Sequence, residues 1–288
     1  QHHPQPGRAM TNLDQQAFWT DSAGPTWVAL QDEMDTLLTP VLTEVMARSA
    51  LQPGERVLDV GCGTGQSVAQ IADAVGPTGH VTGLDISETM LRRAHDRLGF
   101  RPHVSLTMAD AQTHDFAQPY DVILSRFGVM FFDDTRTAFG NLWRALAPGG
   151  RMVLAAWGPA PQNPWFMEPA AAARHVLGPM PRVDRTLPGP FAFEDAHRVL
   201  DLAEAAGLPD MTVDTVPMSL TPRGGLADAA ELCCHIGPAD SALQYHEAEA
   251  EAKAALKDAI TAQFAKFDGP DGLRIPALIH MFEARKPT

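Results

Sequence analysis

A doubly wound α/β fold around a mostly parallel seven-stranded sheet is what this sequence predicts. Three observations carry the prediction. Short apolar runs alternate with helix-patterned segments from residue 56 to 157. A glycine turn, VLDVGCGTG at 57–65, follows the first of those runs. An aspartate stands at the end of each of the first three runs: Asp59, Asp85 and Asp110.

The elements follow in order. Residues 11–50 read as mostly helical, because Leu37, Leu38, Val41, Leu42, Val45 and Met46 recur at helical spacing. We take 10–50 as a helical lid and 51–288 as the main domain. Gln52-Pro53-Gly54 breaks the pattern, and a strand is expected at Arg56–Val60. A helix at Gln66–Val75 is closed by Gly76-Pro77, and a second strand covers His80–Leu84. Ser87 caps a helix running to Leu98, with Met90, Leu91, Ala94 and Leu98 on one face. Strands are predicted at Val104–Met108 and Tyr120–Leu124, a helix at Thr135–Leu146, and a strand at Arg151–Trp157 after Pro148-Gly149-Gly150. Asp133-Asp134 suits the cap of that helix. Beyond Trp157 the pattern weakens. Segments 158–192, rich in Pro and Gly, and 225–268, rich in helix formers, read as inserts. Phe193–Ala206 reads as a helix. Met211–Leu220 and Ile275–Ala284 read as an antiparallel edge pair.

Composition narrows the function. The 288 residues are 45% hydrophobic, enough for a packed core, and the formal net charge is −13. No run of five basic residues occurs, so nucleic acid is a poor partner. No apolar stretch reaches the roughly 18 residues of a membrane span, so no membrane insertion is expected. Cys62, Cys233 and Cys234 make neither a disulfide framework nor a zinc site. A reducing, cytoplasmic compartment is the expectation. Residues 1–9, starting with Gln1 and holding His2 and His3, read as a non-native remnant before Met10.

Gly61-x-Gly63-x-Gly65 departs from the dinucleotide spacing, because its third glycine comes one residue early. Asp59 ahead of the turn would repel a pyrophosphate and attract a cation. S-adenosylmethionine carries an ammonium and a sulfonium and no phosphate. Asp85 lies 24 residues after Gly61, about where a carboxylate accepts from both ribose hydroxyls. Asp110 could accept from an adenine amino group, with the backbone N–H of Ala111 donating to the ring.

At this point the sequence resembles the class I S-adenosylmethionine-dependent methyltransferases, in particular the group that includes the ubiquinone and menaquinone C-methyltransferases. The matching stretches are VLDVGCGTG at 57–65, GLDIS at 83–87, MADAQ at 108–112, YDVILSRFGVMFF at 120–132 and RALAPGGRMVL at 144–154. The resemblance implies the Rossmann-like methyltransferase fold with helical lid insertions, and S-adenosylhomocysteine as product. It implies that Asp59, Gly61, Cys62, Gly63 and Gly65 surround the methionine end, Cys62 as a small residue in a tight turn. Asp85 would hold the ribose, Ile86 and Met90 would pack on the adenine, and Asp110 and Ala111 would read its edge. Ser125, mainly through its backbone, and Arg126 would lie near the methyl group. Trp27 resembles a position that folds over the cofactor.

Substrate signals are mostly absences. Ser125-Arg126-Phe127-Gly128 is not the Asn/Asp-Pro-Pro-aromatic signature of amide and adenine methylation, and no cysteine follows a proline. No metal is expected. Trp19, Trp27, Phe127, Met130, Phe131, Phe132, Trp165, Phe166, Phe191 and Phe193 are candidate walls for a small apolar or aromatic acceptor. A general base, if any, would be His175, His197, His235, His246, His280 or Tyr245, and the sequence does not choose. The acceptor atom (O, C or N) and the oligomeric state are not legible. The alternative reading is a non-catalytic partner subunit that binds the cofactor. An NAD-dependent enzyme is disfavoured by the glycine spacing.

Overall fold

The computed structural model describes residues 10–288; the reading of residues 1–9 lies outside them. Seven strands form one sheet in the order β3-β2-β1-β4-β5-β9-β6. They are β1 (Arg56–Val60), β2 (His80–Asp85), β3 (Val104–Met108), β4 (Tyr120–Arg126), β5 (Leu146–Trp157), β6 (Thr212–Leu220) and β9 (Ile275–Arg285). Two-residue strands β7 (Asp268–Gly269) and β8 (Gly272–Leu273) make a separate small hairpin. The first five strands of the sheet are parallel. β9 is antiparallel to both β5 and β6, so the predicted edge pair stands.

The central strands are apolar runs because helices cover both faces, and Val57, Leu58, Val122, Ile123 and Leu124 are fully buried. α4 (Gln66–Val75), α5 (Glu88–Leu98) and α6 (Thr135–Ala145) lie between the strands as expected. Ser87 caps α5 by accepting from Met90 N at 3.1 Å, and Asp134 caps α6 by accepting from Thr137 N at 3.0 Å. β1 connects to β2 on one side and pairs in parallel with β4 on the other, so the strand order reverses between β1 and β4. A ligand crevice is expected at the carboxyl ends there.

Several boundaries move for local reasons. α8 (Ala196–Ala205) starts three residues later than predicted, because Asp195 caps it and Phe193 is buried in the core instead. β5 starts at Leu146, opposite Tyr120, before an irregularity in the pairing. Segment 158–192 holds a 14-residue helix, α7 (Pro164–Leu177), that its prolines hid. Pro164 sits in the first turn, where no N–H is needed, and the alanine run after Pro169 favours helix. Segment 225–268 forms α9 (Leu226–Cys233), α10 (Pro238–Tyr245) and α11 (Ala250–Phe264); α10 and α11 pack on α7, and α9 packs on α11.

The N-terminal strap is α1 (Asn12–Ala17), one π-helical turn (Phe18–Ser22), α2 (Ala23–Ala29) and α3 (Gln31–Ser49). α3 packs on β4 and β5 and is pinned to the sheet edge by Arg48, which pairs with Asp214 of β6 and Glu283 of β9. The π turn frees carbonyls that α5 captures: Ser87 Oγ donates to Trp19 O at 2.8 Å and Thr89 Oγ1 to Thr20 O at 2.7 Å. Gly24 makes the turn possible, since a Cβ there would stand 1.8 Å from the Trp19 carbonyl oxygen. Gly24→Ala is therefore expected to loosen the strap. Limited proteolysis should cut within residues 11–30 of the variant faster, while unfolding of the sheet shifts by about 1 kcal/mol or less. Equal cleavage rates would contradict this role for Gly24.

Candidate functional site

The glycine turn brings three chain segments together. Gly61, Gly63 and Gly65 all have positive φ, at 73°, 54° and 95°. A Cβ on Gly61 would stand 2.7 Å from Gly128 Cα, and one on Gly128 would stand 2.3 Å from Val60 O. The ends of β1 and β4 thus touch backbone to backbone. Ser125 locks them: its Oγ donates to Val60 O at 2.7 Å and accepts from Gly128 N at 3.0 Å. Its side chain is structural, consistent with a role carried by the backbone. Phe127, between them, takes a left-handed conformation at φ 67°, a strained state that concentrates at functional sites.

Asp59 is 1% exposed. Its carboxylate accepts from Ser67 Oγ in α4. Burial pushes its pKa up to about 6, against the Ser67 hydrogen bond and the charge of Arg126, with Asp85 adding repulsion. Asp85 ties the turn to β2. Its Oδ2 accepts from Gly63 N at 2.8 Å and its Oδ1 from Ser87 N at 2.9 Å. Burial raises its pKa, and the backbone N–H groups of Ser87, Gly63 and Ile86 hold it down. Cys62 is buried, with Sγ facing Gly83, and burial lifts its thiol pKa well up. Cys233 and Cys234 are buried as well, and burial raises both thiols. Met90 lies under the turn, its Cε 3.4 Å from where a Gly63 Cβ would be.

The strap reaches Asp110. Asn12 Nδ2 donates to Asp110 Oδ2 and to Gln112 Oε1, each at 2.8 Å, and Asp110 Oδ1 accepts from Gln112 N at 2.9 Å. Ala111 is buried beside it. Trp27 packs edge-on against Trp19, which packs edge-on against Phe131, so the expected cover residue belongs to a strap cluster near the β4 loop. Asn12, Trp19 and Ser87 therefore join the site across sequence separations of 68 to 121 residues. No spacing rule could have linked them.

The Arg126 side chain turns toward α3 and α4, where Nη1 donates to Leu38 O at 3.2 Å and Gln66 Oε1 at 2.8 Å. The aromatic walls also divide. Trp165 stacks on Phe264, and Met130 and Phe193 are core residues. Phe127, Trp157, Phe166 and Phe191 form a continuous chain instead. Phe127 stacks on Trp157 at 4.4 Å, and Phe166 meets both Trp157 and Phe191 edge-on at 4.9 Å. Trp157, at the end of β5, was a strand residue in the sequence pattern and gave no other signal.

The donor set fits an adenosylated amino acid. Carboxylates stand at the ends of β1, β2 and β3, the turn offers glycines that admit close approach, and a guanidinium sits beside them. Among the described residues no cluster of three or more acidic, His or Cys side chains could hold a metal ion. No helix of the described residues is long and apolar enough to cross a membrane.

Comparison with known proteins agrees with this geometry. Residues 57–150 match the family described as a methyltransferase domain. A ubiquinone/menaquinone biosynthesis C-methyltransferase of Ectopseudomonas mendocina is 37% identical over 110 residues, 37% of this chain and 43% of that protein. A demethylmenaquinone methyltransferase of Anoxybacillus flavithermus is 35% identical over 114 residues, 38% of this chain and 48% of that protein. The chain spans about half the length of these relatives. Two solved structures share the fold at a TM-score of 0.54. One is a phosphoethanolamine N-methyltransferase of Haemonchus contortus with S-adenosylhomocysteine, 22% identical, covering 86% of this chain and 53% of that one. The other is the [4+2]-cyclase SpnF, 17% identical, covering 99% of this chain and all of that one. Residues 57–150 thus match a methyltransferase domain, and over that stretch the chain resembles the ubiquinone and menaquinone C-methyltransferases.

Proposed function

We propose that this protein transfers a methyl group from S-adenosylmethionine to an oxygen, carbon or nitrogen of a small apolar or aromatic molecule. The observation that carries the reading is the glycine turn clasped by Asp85, with Asp59 and Asp110 at the neighbouring strand ends. In this reading Asp85 accepts from the ribose hydroxyls, Ile86 and Met90 face the adenine, and Asp110 and Ala111 read its edge. Asp59 attracts the ammonium. The strap, residues 10–50, covers the adenosine, and the helices of 158–192 and 225–268 complete the acceptor side.

The sulfonium supplies an already activated methyl group. What remains for the chain is to position the acceptor and exclude water. Phe127, Phe166 and Phe191 are half-buried and suited to an apolar ring. Four of the six base candidates fare poorly. His280 spends one ring nitrogen on Thr215 Oγ1 and the other on the Glu194 carbonyl. His235 pairs with Glu231 on the surface, and His175 and His197 are exposed. Of the other two, Tyr245 is exposed and His246 has its Nε2 buried without a hydrogen-bond partner, so among these candidates His246 is the one left for an acceptor that must shed a proton.

The test is a transfer assay with methyl-labelled S-adenosylmethionine and a cell extract split into small-molecule, nucleic-acid and protein pools. Label in the small-molecule pool is expected. Label confined to RNA or protein would contradict the acceptor class. Binding of the labelled compound with no transfer to any pool would favour the non-catalytic subunit.

A further inference from the structure

Glu194 leaves one carboxylate oxygen unpaired. Its Oε1 accepts from Ala160 N at 3.4 Å and from Arg185 Nη1 at 3.3 Å. Its Oε2 is buried and receives no hydrogen bond among the described residues. A buried carboxylate oxygen without a donor is costly, so this atom calls for a missing partner. The residue is also held firmly in place. Its backbone N–H donates to Phe191 O at 3.1 Å, and its carbonyl accepts from His280 Nε2 at 2.9 Å. The loop that carries Ala160 is equally fixed, because buried Asn163 donates to the Gly158 and Pro159 carbonyls and accepts from Leu278 N.

Both anchors of Glu194 belong to the segments that carry the aromatic row. Ala160 lies between Trp157 and Phe166 in the chain, and Phe191 comes three residues before Glu194. Charge then selects the missing donor. Arg185 already stands beside the carboxylate, so no second cation is needed, and a neutral hydroxyl completes it. We propose, on the acceptor reading above, that Glu194 is a specificity residue: Oε2 accepts from a hydroxyl on the acceptor while Phe166 and Phe191 flank its ring. A ring of the same size without that hydroxyl leaves Oε2 unpaired and is rejected. Glu194 lies outside residues 57–150, so the selection is made by a segment that the shared domain does not include.

Equilibrium dialysis of the full chain, saturated with S-adenosylhomocysteine, tests this with two probes that share a ring system: 1-naphthol and its ether 1-methoxynaphthalene. Wild type should hold 1-naphthol about tenfold tighter, the scale of one hydrogen bond to a charged group. Glu194→Gln keeps an oxygen for Ala160 N and turns an NH₂ toward the acceptor, so it should erase the preference or favour the ether. Phe166→Ala should weaken both probes by a similar factor and leave the preference in place. A wild type that does not distinguish the probes, or a Glu194→Gln variant that loses both equally, would overturn the assignment of Glu194 while leaving the apolar acceptor site standing. Binding of both probes unchanged by Phe166→Ala would place them elsewhere and overturn it too. Failure of wild type to bind either probe would overturn the apolar acceptor reading, and the role of Glu194 with it.

Discussion

Asp59→Asn is expected to make the ligand-free protein more stable above pH 6 and to weaken its hold on S-adenosylmethionine. In the folded protein burial pushes the Asp59 carboxyl up to about 6, from an ordinary value of 3.8. Between those values the folded state binds more protons than the unfolded state. Stability from this group is therefore fully present below the lower value and is lost as pH rises through the upper one. Above pH 6 the buried carboxylate costs about 3 kcal/mol. Asparagine removes that cost and keeps an oxygen for the Ser67 hydroxyl. The variant should melt several degrees above wild type at pH 8 and level with it near pH 4. Its affinity for S-adenosylmethionine should fall about tenfold or more, because the charge that attracts the ammonium is gone. Scanning calorimetry at the two pH values reads the first effect and titration the second. Lower stability at both pH values would contradict the account, since it would make Asp59 a structural support rather than a cost held for a ligand.

Asp85→Asn should have the larger effect on binding. Both carboxylate oxygens of Asp85 accept backbone N–H groups, from Gly63 and from Ser87. An amide presents an NH₂ where one acceptor stood, and the turn loses a clasp worth roughly 1–3 kcal/mol. The ribose loses an acceptor as well. Affinity should drop by about a hundredfold for S-adenosylhomocysteine and by a similar factor for 5′-methylthioadenosine, because both carry the ribose. Unchanged affinity in Asp85→Asn would contradict the ribose assignment.

The sheet was legible because its signals are local. Arg56–Val60, Val104–Met108 and the caps at Ser87 and Asp134 appear in the structure where apolar runs and capping residues put them. The carboxylates at three strand ends were legible for the same reason. Contacts between distant segments were not. Nothing in the sequence ties Asn12 to Asp110 or Trp19 to Ser87, because a side chain's partner across the sheet leaves no period. Arg126 shows the limit well. Its place at the end of β4 was readable, but its direction was set by Leu38 and Gln66, on two other elements. α7 stayed hidden for a different reason: Pro164 and Pro169 read as breakers, while one of them in fact opens the helix.

The central claim is that the glycine turn holds S-adenosylmethionine. Calorimetric titration of the wild-type protein with S-adenosylmethionine, and separately with NADH, addresses it most directly. The account predicts saturable binding of S-adenosylmethionine at one site per chain and none of NADH. Saturable NADH binding without S-adenosylmethionine binding would contradict it, and so would binding of neither.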